Sequence, residues 1–293
     1  MKKQISLIAL LCVVLSVFAA CGGGSVKPAD TLPHGGFIID LPDNVVIPTT
    51  VPFSEAVSAA AAMPSTEPAE PPETSPSEET TYYTPDHKVI YITFDDGPGP
   101  YTERLLNIIS AHPGVHVTFF VTHMHTQYSD ILTREANDGH SIGVHSYTHD
   151  YDQIYRSSEA FWDDFTKMQT EIKAKTGIVT EISRFPGGSS NTVSNYNPGI
   201  MTQLAEEIHE RGYEYFDWNV LSGDAGDTTS TSVVLDNMKR GVMGVEYPVV
   251  LCHDIKDFTI DAIDDFLTWG EENGYTFEGL TKDCFPAHHH INN

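Results

Sequence analysis

From about residue 82 onward, apolar and polar positions alternate between two periods. Val89-Ile90-Tyr91-Ile92 is a short apolar run stopped by a Gly/Pro-rich turn, as in a buried strand. Leu105, Leu106, Ile108 and Ile109 then recur at helical spacing, with Thr102 placed to cap that helix. A second strand is predicted over 117–121 and a short helix over 131–137, ended by Asp138-Gly139. Helices are predicted near 159–175 and 201–211, with a strand over 181–185 between them. Segments 213–220, 232–240, 247–252, 259–273 and 275–277 continue the alternation. Repeated strand–helix units imply an α/β fold of parallel strands with helices outside, either a barrel or a doubly wound sheet. In both, polar groups that do chemistry collect where strands end and loops begin.

The first 81 residues follow neither period. Lys2 and Lys3 precede an apolar run over 5–18 that is short for a bilayer span, and Ala19-Ala20 precede Cys21. The pattern resembles a bacterial lipoprotein signal over 1–20, with Cys21 as the lipidated residue. The competing reading is an ordinary cleaved signal. Residues 54–80 are rich in Pro, Glu, Ser, Thr and Ala and contain no aromatic residue, so 21–84 is expected to be a disordered tether. A catalytic domain is expected over 85–285 and a tail over 286–293, whose His288-His289-His290 reads as surface sequence with no assigned role.

With 41 acidic against 16 basic residues and a formal charge of −25, the chain lacks the basic stripe that nucleic acid or an anionic membrane surface would require. A neutral glycan is compatible with that balance. Beyond Cys12 and Cys21, only Cys252 and Cys284 remain, either as one disulfide or as free thiols.

Four polar clusters end apolar runs. Thr93-Phe94-Asp95-Asp96-Gly97-Pro98 sets two carboxylates side by side, an arrangement that a cation or an acid–base role would stabilise. His145-Ser146-Tyr147-Thr148-His149 carries two imidazoles four residues apart, on one face if the segment turns helically. With an aspartate they make a two-His, one-carboxylate set that leaves a coordination position open for water. Arg184-Phe185-Pro186-Gly187-Gly188 offers a guanidinium for a carboxylate and a backbone N–H for an oxyanion. Leu251-Cys252-His253-Asp254 ends a later strand with a candidate proton donor. Each cluster alone reads at least as well as a polar turn, a strand exit or a rim histidine.

Taken in order, these clusters resemble the NodB-homology polysaccharide deacetylases, carbohydrate esterase family four, over roughly residues 88–277. The resemblance implies a distorted (β/α) barrel with fewer than eight strands. It implies Asp96, His145 and His149 as ligands of a divalent metal ion, zinc or alternatively cobalt. Asp95 would be the general base, Arg184 its support and His253 the general acid. Leu251 would line the acetyl pocket, and Gly187, where many relatives carry an aromatic residue, would supply the oxyanion N–H. For the remaining aspartate, Asp224 fits the family spacing better than Asp217. The implied activity is removal of N-acetyl groups from an extracellular polysaccharide; an anchor at Cys21 and the tether suit peptidoglycan or another surface polymer within reach of the membrane, and a monomer is expected. The alternatives are an O-acetyl esterase of the same fold and a glycan-binding protein without turnover.

Overall fold

The computed structural model describes residues 82–293, so the expected signal sequence, Cys21 and nearly all of the expected tether lie outside the described residues. Among the described residues, eight parallel strands and seven α-helices follow one another in mostly alternating order. The strands are β1 (Val89–Asp95), β2 (Thr118–Val121), β3 (Ser141–Val144), β4 (Ile182–Ser183), β5 (Glu214–Tyr215), β6 (Val220–Leu221), β7 (Val249–His253) and β8 (Thr276–Phe277). The helices are α1 (Thr102–Ser110), α2 (Ile131–Asn137), α3 (Tyr151–Ile154), α4 (Ser158–Thr176), α5 (Ile200–Glu210), α6 (Thr231–Val242) and α7 (Asp257–Glu272).

The strand order is β5-β4-β3-β2-β1-β7-β6, with β8 pairing the start of β1. The edge strands β5 and β6 are consecutive in sequence, joined only by residues 216–219. Such a link spans at most about 17 Å, whereas seven strands laid flat would be about 29 Å across. The sheet therefore curls into an incomplete barrel. A single element was expected over 213–220; the segment instead makes two-residue strands on opposite edges, and the turn between them bridges the seam.

Strand alternation sorts the core into two layers. Ile90, Ile92 and Phe94 of β1 face the helices and join the large outer core with Leu105, Leu106 and Phe266. Val89 and Tyr91 face inward with Phe120, Phe216, Val249, Leu280 and Cys284, filling the barrel interior. The two cysteines fall on opposite sides of this division, Cys252 in the outer layer and Cys284 in the inner one, and both are free thiols.

Thr102 does not cap α1. The cap position is Tyr101, and the Thr102 hydroxyl accepts from the Gly99 N–H and donates to Asp254. Strand β3 escaped the periodicity because Gly143 interrupts its apolar pattern. That glycine is required, since a side chain there would overlap the Phe120 ring.

The C-terminal segment is part of the barrel wall. The Asp217 N–H donates to Ala287 O at 2.9 Å, the His289 N–H donates to Asp217 Oδ2 at 2.8 Å, and His289 Nε2 meets Trp218 O at 2.7 Å. These bonds satisfy backbone groups of the seam turn that have no strand neighbour. Of the terminal histidines expected at the surface, His288 and His290 are exposed and His289 is partly buried, and the rings of His288 and His289 reach the backbone of residues 215–218.

Candidate active site

The inner face of the barrel changes from apolar to polar at the C-terminal strand ends. In register, Asp95 of β1 stands beside His253 of β7, and Thr93 stands beside Leu251. Side chains two apart on a strand share a face, so Thr93, Asp95, Leu251 and His253 all point into the same opening. Leu251 is its apolar wall and is buried.

Asp96, one residue on, turns away with φ 74°, and His149 also has positive φ, 53°. Left-handed backbone at non-glycine residues costs about 1–3 kcal/mol each and persists where surrounding contacts impose it. Here those contacts bring together atoms that could hold a metal ion. Asp96 Oδ1 lies 3.4 Å from His149 Nε2 and 3.7 Å from His145 Nε2. The three ligand atoms all lie within 4.8 Å of one another.

The two histidines do not share a helical face as anticipated. His145 follows β3, and the residues up to His149 form a loop wrapped around Asp164 of α4. Asp164 Oδ2 accepts from the Ser146 hydroxyl (2.6 Å) and the Tyr147 N–H (2.7 Å). Its Oδ1 accepts from the Thr148 N–H (2.9 Å) and hydroxyl (2.7 Å). The Ser146 hydroxyl in turn accepts the His149 N–H at 2.8 Å. Sequence reasoning missed Asp164. Its signal was a carboxylate at a core position of an amphipathic helix, between Phe161 and Phe165.

This donor set fits a divalent cation. Asp96 Oδ1 is buried and has no hydrogen-bond partner, an expensive state for a carboxylate oxygen without a cation. The His145 Nδ1–H donates to Arg184 O at 2.8 Å, which leaves the Nε2 lone pair facing Asp96. Burial also holds the His145 imidazole below the usual histidine range, favouring the neutral, ligating form.

Arg184, only 1% exposed, makes four hydrogen bonds with its guanidinium inside the barrel. It donates to Asp95 Oδ1 (2.8 Å), Thr93 Oγ1 (2.6 Å), Phe216 O (2.8 Å) and Asp217 O (2.8 Å). Its planar face lies 4.3 Å from the Phe120 ring centroid. Asp95 is thus fixed by one bond and Arg184 by several more, a rigid mount on three strands.

The two candidate aspartates separate cleanly. Asp224 binds His253, with Oδ1 2.8 Å from its Nδ1 and Oδ2 accepting its N–H (2.8 Å) and the Thr259 hydroxyl (2.9 Å). Burial alone would lower the His253 pKa, but the Asp224 hydrogen bond and charge, with Asp95 and Asp96 beyond, push it up to about 9. Asp217 has another task. Its carboxylate accepts the Ser189 N–H (2.7 Å) and hydroxyl, and so holds the loop after Arg184.

In that loop Gly187 and Gly188 have φ of 78° and 80°, and the Gly188 N–H closes a turn onto Phe185 O at 2.8 Å. A side chain on Gly187 would start 3.7 Å from the Tyr151 ring, so Tyr151 borders the space that a larger residue would enter.

A sequence profile described as polysaccharide deacetylase matches residues 82–206. The chain is 48% identical to the crystallised catalytic domain of a peptidoglycan N-acetylglucosamine deacetylase from Eubacterium rectale. That alignment covers 75% of this chain and all of that one, with a TM-score of 0.72. It is 29% identical to the polysaccharide deacetylase Bc1974 of Bacillus cereus over 69% of this chain and 96% of that one, with a TM-score of 0.59. A Bacillus cereus peptidoglycan-N-acetylglucosamine deacetylase is likewise 29% identical, over 69% of this chain and 73% of its own length. Because the match to the crystallised catalytic domain runs along all of that domain at 48% identity, the chain belongs to the polysaccharide deacetylase family.

Proposed function

We propose that the chain hydrolyses N-acetyl groups on an N-acetylglucosamine-containing glycan outside the cell, peptidoglycan first among them. The observation that carries this reading is the buried, unpartnered Asp96 Oδ1 facing two imidazoles, beside a carboxylate mounted on arginine and an imidazole mounted on aspartate. The names of the relatives supply the substrate class.

Asp96, His145 and His149 would hold a divalent ion, with zinc best suited to two imidazoles and one carboxylate. When bound, such an ion supplies Lewis acidity toward the acetyl carbonyl and toward water. The protein's own groups carry the protons. Asp95, oriented by Arg184, accepts the proton of the attacking water as its oxygen bonds to the acetyl carbon. The developing oxyanion is met by the Gly187 N–H, presented by the left-handed turn that Asp217 and Ser189 hold in place. Leu251 packs on the acetyl methyl. As the C–N bond breaks, the imidazolium of His253 donates its Nε2 proton to the departing nitrogen, giving acetate and a glucosamine amine. Asp224 keeps that imidazole charged and aimed.

Anchoring at Cys21 and export to the outer membrane face complete the proposal; a lipid-held chain with a long tether would reach a surface polymer. The test is acetate release from peptidoglycan, N-acetylglucosamine oligomers and acetylated xylan. Release from the first two supports the amide reading. Release from xylan alone would move the assignment to O-esters, and release from none would leave a glycan-binding protein.

A further inference from the structure

Outside the catalytic cluster, three side chains from three elements bring ligand atoms to one point. His209 lies in the last turn of α5, Glu214 opens β5, and His288 belongs to the C-terminal segment. Glu214 Oε1 is 3.0 Å from His209 Nε2 and 3.0 Å from His288 Nε2. All three ligand atoms lie within 4.8 Å of one another. We propose that His209, Glu214 and His288 form a second divalent-metal site, of the zinc type, which staples the C-terminal segment to the open edge of the barrel.

Geometry is the first argument. Ligands of a tetrahedral zinc ion at bond lengths of about 2.0–2.2 Å stand about 3.3 Å apart. The 3.0 Å separations here are about 0.3 Å short of that spacing, a gap that a small outward turn of the two exposed imidazoles closes. The ligands are also held in place before any ion arrives. Gly212, at φ 83°, turns the chain out of α5 so that Glu214 returns beside His209. The Glu214 N–H is tied to Glu181 O at 2.9 Å. The His288 ring lies flat on Tyr215, with centroids 3.9 Å apart and planes 10° from parallel.

Hydrogen-bond counting is the second argument. Besides the two imidazole nitrogens, Glu214 Oε1 receives the Tyr215 N–H at 3.0 Å. Three N–H donors then share one carboxylate oxygen that offers two lone pairs, and His288 Nε2 also leans on Tyr215 O at 2.9 Å. Replacing both imidazole protons by one cation removes that crowding and turns each nitrogen lone pair toward a common centre. The side chains of His209 and His288 are 47% and 27% exposed, so an ion can enter from solvent and keep water as a further ligand. The same segment braces Asp217 and Trp218 through Ala287 and His289, so an ion here would fix the seam turn from outside.

The test is elemental analysis of the purified chain after equilibration with zinc chloride and desalting, with a thermal melt on each sample. Two zinc ions per chain are expected for the wild type and one for His209→Ala. His209→Ala should turn over normally and lose part of the zinc-dependent rise in Tm. His149→Ala, in the catalytic cluster, should keep the ion at this second site whether or not the catalytic reading holds. His209 is exposed at a helix end, so its replacement leaves the core intact. A zinc content that His209→Ala and His288→Ala both leave unchanged would overturn the proposal.

Discussion

His253 Nδ1 stands 2.8 Å from Asp224 Oδ1, and the same carboxylate also accepts the His253 backbone N–H. These two bonds fix the ring; burial works against its charge, but the Asp224 side-chain hydrogen bond and charge, with the charges of Asp95 and Asp96, push its pKa up to about 9, which favours the charged, donating form at neutral pH. The sign follows: the active form is protonated, and turnover should fall as pH rises through the His253 pKa. Asp224→Asn removes the charge that stabilises the imidazolium. The alkaline limb of the kcat profile should move to lower pH by a unit or more, and an unmoved limb would show that another group sets it.

Replacing Asp164 should damage metal binding without touching a ligand. Asp164→Asn turns an NH2 group toward donors that now meet oxygen, freeing the loop that carries His149. Metal affinity should fall about 10–100-fold, the usual weight of an outer hydrogen-bond partner. Titration with zinc and a melting curve on the same sample separate this effect from unfolding.

Arg184→Met should cost about 3–5 kcal/mol of stability, because it leaves Asp95 buried without its cation. Adding Asp95→Asn should recover part of that loss, since the uncompensated charge goes with it. Denaturant midpoints of the single and double variants measure both.

If Cys21 carries the anchor, Cys21→Ser should shift the mature protein from the membrane fraction to the medium and abolish fatty-acid labelling. A wild-type chain that takes no label would remove the lipid anchor and leave the chemistry standing.

Much of the fold could be read because long amphipathic helices and the apolar run of β1 carry strong periodicity. The helix observed as Ile131–Asn137 was placed to the residue, and the expected distorted (β/α) barrel is the architecture found, with seven strands along the curled sheet and β8 as an eighth, off that path, pairing β1. Short strands were the weak point: two residues, as in β5 and β6, give no alternation to detect, so their separation to opposite edges was invisible. Asp95, His145, Arg184 and His253 come together because each ends or directly follows a strand of the barrel. How His145 and His149 meet was misjudged, because local spacing suggested a helical turn. The actual device is a loop tied to Asp164, a contact between residues far apart in sequence. The role of the terminal segment was hidden for the same reason, since only the curled sheet creates the seam that it covers.

The central claim is that two adjacent aspartates do different work, Asp96 holding a metal ion and Asp95 accepting a proton. The measurement is metal content by elemental analysis beside turnover for Asp95→Asn and Asp96→Asn, both in a His209→Ala background so that one class of site is counted. Asp96→Asn should lose metal and activity together, because a neutral amide replaces an anionic ligand. Asp95→Asn should keep its metal and lose about 10²–10⁴-fold in kcat, the weight of a positioned general base. Metal lost from Asp95→Asn and retained in Asp96→Asn would reverse the two roles, and near-normal turnover in both would contradict the account.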